Sequence, residues 1–236
     1  MSEDFDTPSA EYKSLSWSEV WISALTKPSV ETYESLVRDP GASANKAYGW
    51  VFICALIGYA ISSVISLAIG ALFETSSIAG FNTGALFGSS LFALVCCVPI
   101  FAILAVVGLI INSGLTQFVA RILGGTGTYS ELVYANAAYT APLSLVSSIV
   151  GAIPFVNLCL GIPLAIYYLV LAVIATNAVN KFGWGKAVFS ALIVPVAIIL
   201  FVTCGAIAVI TGLAVTGPQI GDVFSDIVRE LSTPVP

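Results

Sequence analysis

This sequence predicts an all-α, polytopic integral membrane protein: a five-transmembrane-helix bundle with an N-terminal amphipathic interfacial segment. Three observations predict it. Of 236 residues, 58% are hydrophobic and 9% are charged, where a soluble domain carries about a quarter. Four stretches without any charge, 47–73, 75–120, 132–180 and 187–221, cover most of the chain. Apolar residues show no period-2 alternation, which argues against a transmembrane barrel. Hydrocarbon is the solvent in which a charge is costly and a bare backbone must be wound into helix.

The elements follow in chain order. Residues 1–14 are acidic and small, a composition that predicts disorder. In the 15–46 segment, Trp17, Val20, Trp21, Ala24 and Leu25 fall at i, i+3, i+4, i+7 and i+8, one face of a helix. Ser18, Glu19 and Ser23 lie largely off that face, and Pro28 ends the helix. A second short helix fits Ser29 to Val37, before Asp39-Pro40-Gly41. Trp17 and Trp21 read as interfacial anchors on the cytoplasmic leaflet. The competing reading is a platform for a protein partner.

A span needs about 20 apolar residues to cross roughly 30 Å. The transmembrane domain, 47–214, holds spans at about 48–73, 85–111, 131–151, 156–179 and 187–212. The first two are separated by the polar loop Thr75 to Gly84. The third and fourth form a tight hairpin broken at Gly151 to Asn157, where Gly and Pro end and restart helices. Pro99, Pro142, Pro163 and Pro195 are expected to kink their spans. The 215–236 tail, with prolines and no apolar periodicity, reads as an external, flexible end.

Basic residues set the orientation. Lys13, Lys27, Arg38, Lys46, Arg121, Lys181 and Lys186 fall on one side of a five-span chain, and Arg229 on the other. The positive-inside rule then places the N-terminus in the cytoplasm and the C-terminus outside, in the plasma membrane. The first 25 residues lack a charged-then-apolar pattern, so no cleaved signal peptide is expected.

The densest local signal is Leu123 to Glu131, with Gly124, Gly125 and Gly127. It lacks a Gly-Lys-Ser/Thr ending and a preceding strand, so a P-loop is excluded. It reads instead as a structural turn. Gly124 or Gly125 caps the arriving helix, and Thr128 with Glu131 forms a capping box that starts the third span. Gly58, Ser62, Ser66 and Gly70 put a small residue at every fourth position of the first span, a helix-packing stripe. Internal packing is the default reading and a homodimer seam the alternative.

Asn112, Gln117, Asn136, Asn177 and Asn180 all fall toward the cytoplasmic ends of their spans. Ion-coupled carriers place such groups near the midplane. This candidate polar cluster reads either as interhelical hydrogen bonding or as the mouth of a solute path. Cys54, Cys96, Cys97, Cys159 and Cys204 show no CxxC, and the chain has no histidine. No metal site, cofactor or catalytic residue is expected.

The run from Gln117 to Pro142 resembles the core signature of the Yip1 domain family. In that family a helix ends in Gly-Gly-x-Gly, an aromatic follows, and a Tyr and a Pro lie inside the next span. The matching positions here are Gly124, Gly125, Gly127, Tyr129, Tyr139 and Pro142. The five-span plan, Trp21 with Pro28, and Lys186-Ala187 are also similar, so the resemblance covers about 15–212. It implies a membrane protein of the class associated, in eukaryotes, with Rab-type GTPases and vesicle traffic. The Asp-Leu-Tyr-Gly-Pro-like motif of eukaryotic members has no counterpart here, so GTPase binding is not implied. The compact form looks more like prokaryotic members.

The expected function is a non-enzymatic integral membrane scaffold or adaptor. Its partners would be the lipid bilayer and a protein at the cytoplasmic face, with no nucleic acid. A small-solute permease using the asparagine cluster is the alternative. An intramembrane enzyme ranks last, because spans without histidine, Asp or Glu lack acid–base groups.

Overall fold

The computed structural model describes residues 14–73 and 96–232. Among them are seven helices and no strand: α1 (Trp17–Thr26), α2 (Val30–Val37), α3 (Ala44–Phe73), α4 (Val98–Ile122), α5 (Tyr129–Ala152), α6 (Pro154–Asn180) and α7 (Trp184–Ser232). The acidic stretch up to residue 13, the Thr75–Gly84 loop and residues 85–95 of the second expected span lie outside the described residues. The chain divides into two units, 1–192 and 193–236.

Local chemistry sets the helix ends of the first unit. Ser16 and Glu19 form a capping box that starts α1. Ser29 caps α2 by accepting from the Thr32 amide. The exposed Glu31 carboxyl, bonded by its own amide and by the Ser29 hydroxyl, is held below the usual carboxylate range. Pro154 sits at the first position of α6, where its missing N–H costs nothing. Pro142 and Pro163 lie inside α5 and α6, which continue through them. Pro99 stands in the first turn of α4.

α5 is the hub of this unit and touches α1, α2, α3, α4 and α6. Every residue from Leu132 to Tyr139 is buried. One core joins Val20 and Ala24 of α1, Tyr33 and Leu36 of α2, Val51 of α3, Leu109 of α4, Tyr139 of α5 and Leu171 of α6. A smaller cluster, Ala120, Phe182 and Ala187, closes the α4, α6 and α7 ends.

Four described helices are long and apolar enough to cross a membrane: 44–69, 98–122, 155–180 and 184–212. The third expected span, α5, is not among them. Asn136, Tyr139, Thr140, Pro142, Ser144, Ser147 and Ser148 lower its hydropathy. Its first half lies at the centre of the packing, where neighbouring helices rather than lipid cover Asn136 and Tyr139.

Three expectations need correction. The second span does not end near Ile111. Its helix continues to Ile122, because Ser113 and Gln117 find protein partners and need no loop. The tail is not unstructured from 215, since α7 runs on to Ser232. There the sequence spaces Ile220, Val223, Phe224, Ile227 and Leu231 at helical intervals, a periodicity masked by Gly217-Pro218. Finally, most of the apolar stripe of the 15–46 segment is turned to the bundle core, with Trp17 left exposed. Val20 and Ala24 are 0% exposed inside the bundle core.

In the second unit, residues 193–232 belong to a single helix. Ile199, Leu200, Phe201 and Ile207 are exposed there, as a lipid-facing helix requires.

Candidate functional site: an interlocked helix end and a hydroxyl-lined cleft

The turn between α4 and α5 is built from its glycines. Gly124 has φ +91°, left-handed backbone that a side chain resists. Its N–H donates to Arg121 O at 3.0 Å, and the Gly125 N–H donates to Ala120 O at 2.8 Å. This bond pair is a Schellman motif closing α4. Lys186, from the start of α7, donates Nζ to Leu123 O at 2.8 Å and satisfies another terminal carbonyl. Thr128 Oγ1 accepts from the Glu131 amide at 3.3 Å, while Glu131 Oε2 accepts from the Thr128 amide at 2.8 Å.

The turn lies directly on the end of α6. A Cβ on Gly125 would stand 2.6 Å from Asn180 Oδ1, and one on Gly127 2.5 Å from the Val179 carbonyl oxygen. Contacts this short demand glycine at both positions. The Thr126 N–H donates to Asn180 O at 3.3 Å. Gln117 Nε2 donates to Gly127 O at 2.6 Å and to Asn180 Oδ1 at 3.0 Å. Asn180 Nδ2 donates back to Gln117 Oε1 at 3.3 Å and to Thr176 O at 3.2 Å. α4, α5 and α6 are thus pinned at one end by two buried amides, both nearly inaccessible.

The five candidate polar residues do not form one cluster. Gln117 and Asn180 meet. Asn136 lies apart, donating to Ser113 Oγ at 2.9 Å and accepting from the Tyr139 hydroxyl at 3.2 Å. Asn177 is buried, and its carbonyl accepts the Lys181 N–H that closes α6. Asn112 is half-buried. Lys181 closes α6 with φ 53°, the only non-glycine residue with positive φ among those described.

α1 and α2 are fastened to the same end. Tyr33 of α2 donates to Ala24 O at 3.3 Å, and Tyr167 of α6 donates to Leu25 O, so two phenols cap the last turn of α1. Burial holds the Tyr33 phenol in its neutral form, raising its pKa. Trp21 stacks edge-on between Trp17 and Trp50, with centroids 6.0 and 5.9 Å away. Trp21 is therefore largely a packing residue, whereas Trp17 remains 59% exposed. Of the small-residue stripe, Gly58 makes the close approach: a Cβ there would meet Ser148 Oγ at 2.6 Å. Ser62 lines a cleft, Ser66 is exposed, and the surroundings of Gly70 lie outside the described residues.

That cleft was not anticipated. It has a volume of about 540 Å³ and lies mainly between α3 and α5. Val51, Ala55 and Leu143 form its buried floor, and Tyr59, Ser147 and Gly151 its exposed rim. Thr140 and the Tyr168 hydroxyl bond each other at 3.2 Å across one wall. The signal was present in the spacing of Thr140, Ser144, Ser147, Ser148 and Gly151 along one side of α5.

Neither the comparison with curated proteins nor that with solved structures found a match. A family model described as the Yip1 domain matches residues 22–206. That match takes in α2 through α6 and the interlocked turn, and the chain belongs to the Yip1 domain family.

Proposed function

We propose that the protein is a non-enzymatic membrane scaffold or adaptor that presents the α1–α2 end of the bundle to a protein partner in the cytoplasm. Its proposed setting is the plasma membrane, with five spans, the N-terminus inside and the C-terminus outside. The observation that carries this reading is the state of the polar groups at that end. Gln117, Asn136 and Asn180 are buried and spend their hydrogen bonds on neighbouring helices. What remains outward is a surface: Trp17 and Ile22 of α1, Glu31 and Ser35 of α2, and Arg38 just after it. A fixed surface of aromatic, apolar and charged groups suits recognition rather than chemistry. The basic residues near this end support its cytoplasmic placement. α5 is counted as a span because its 24 residues rise about 36 Å, enough for ~30 Å of hydrocarbon. The permease alternative draws no support from the asparagines, two of which are committed to structural bonds.

The test is site-specific photo-cross-linking in native membranes, with the cross-linker at Ile22 or Ser35 and a control at Ile199. The proposal expects one defined protein adduct from the α1–α2 positions and none from Ile199. Adducts with lipid alone at all three positions would contradict it. Reporter fusions at both termini test the orientation, and a cytoplasmic C-terminus would overturn five spans.

A further inference from the structure

The cleft between α3 and α5 plays no part in the function proposed above, and its chemistry is specific. Its volume of about 540 Å³ falls within the range of small-ligand sites, roughly 300–1,000 Å³. None of its lining side chains carries a charge. A phosphate, carboxylate or ammonium would lose its hydration there with no counterion to replace it. The occupant is therefore neutral.

The hydroxyls set a second requirement. Ser144, Ser147 and Ser148 donate to carbonyls of their own helix at 2.7, 3.1 and 2.7 Å. A serine oxygen that has given up its hydrogen can only accept. The wall is accordingly rich in acceptors, and it selects a molecule that brings its own O–H donors.

The position indicates where that molecule comes from. Exposed rim residues Tyr59, Ser147 and Gly151 neighbour exposed Ile61, Val146 and Ile149 in sequence, so the mouth opens among apolar, lipid-facing side chains. The rise from Thr140 to Gly151 is about 16 Å. That is roughly half of a ~30 Å hydrocarbon layer, the depth of one leaflet. From these observations we infer that the cleft binds a neutral membrane lipid whose head is a free hydroxyl, of the diacylglycerol type, with that hydroxyl donating to the serines of α5.

The experiment uses the full chain in nanodiscs and a diacylglycerol carrying a photoactivatable group in one acyl chain. A phosphatidylcholine with the same labelled chain is the comparison probe. The diacylglycerol probe is expected to label peptides spanning 51–62 and 140–151, and unlabelled diacylglycerol to compete while free glycerol does not. Replacing Ser144, Ser147 and Ser148 together with alanine should weaken labelling about tenfold, since each neutral hydrogen bond changes affinity several-fold. Gly151→Leu is the second variant. A Cβ there meets nothing within 4 Å, so a side chain at this rim position starts into open space. Should the triple variant fail to fold, Gly151→Leu decides alone, and labelling must fall. Equal labelling by the phosphatidylcholine probe would mean ordinary surrounding lipid and overturn the inference. Competition by glycerol would mean a free-polyol site and overturn the lipid source. No labelling in the cleft, or labelling that survives Gly151→Leu, would also overturn it.

Discussion

Within the first unit, the end of the bundle that carries α1, α2 and the glycine turn differs from the end that carries the α5–α6 hairpin. At the first end, Leu132–Tyr139 and Ile174–Asn180 are buried, and buried amides find partners across helices. At the other, Phe155, Leu158 and Ile162 are 81%, 76% and 67% exposed. There the serines of α5 bond only their own helix. One end is assembled like the interior of a soluble domain, and the other turns large apolar side chains outward, as contact with lipid requires. Substitutions should therefore be costly at the first end and cheap at the second.

The largest effect is expected at Gly127. Gly127→Val drives a branched side chain into the Val179 carbonyl, and should cost about 3 kcal/mol or more, with lost folded yield in detergent. Gly108→Ala in α4 meets nothing within 4 Å. It should be neutral or gain about 0.5–1 kcal/mol from helix propensity. Thermal unfolding of the two purified variants measures the contrast. Equal midpoints would break the comparison.

Next is Asn180→Leu, which leaves the buried Gln117 carbonyl without its donor. A loss of about 1–3 kcal/mol is expected, against less than about 0.5 kcal/mol for Ser147→Ala near the cleft rim. A smaller loss is expected from Thr128→Ala, which removes the capping box of α5, at about 1 kcal/mol. The smallest effect has the opposite sign. Lys181→Gly relieves the left-handed backbone at the end of α6 and should raise the unfolding midpoint by the equivalent of about 0.5–1 kcal/mol.

The local devices were the most legible part of this chain. The Thr128-x-x-Glu131 spacing and Gly124 act through neighbours a few residues away, so the sequence displays them directly. The partnership of Gln117 with Asn180 was not legible, because it joins residues 63 positions apart. Asn136 was grouped with them by depth alone, yet it faces Ser113. The stripe Trp17, Val20, Trp21, Ala24 and Leu25 identified a helix correctly but not what covers it. A membrane and a protein core ask for the same apolar residues, and only the fold distinguishes them. The serines of α5 escaped notice for a related reason: hydroxyls bonded to their own helix are ordinary in spans, and only the neighbouring α3 turns them into the wall of a cleft.

Hydrogen exchange across residues 17–37 of the full chain, in nanodiscs of neutral and of anionic lipid, tests the central claim most directly. A preformed α1–α2 end, seated through Val20, Ala24, Tyr33 and Leu36, predicts strong amide protection over both helices, the same in either lipid. Protection that appears only with anionic lipid, or exchange as fast as an unfolded peptide, would contradict it and return the segment to the membrane surface.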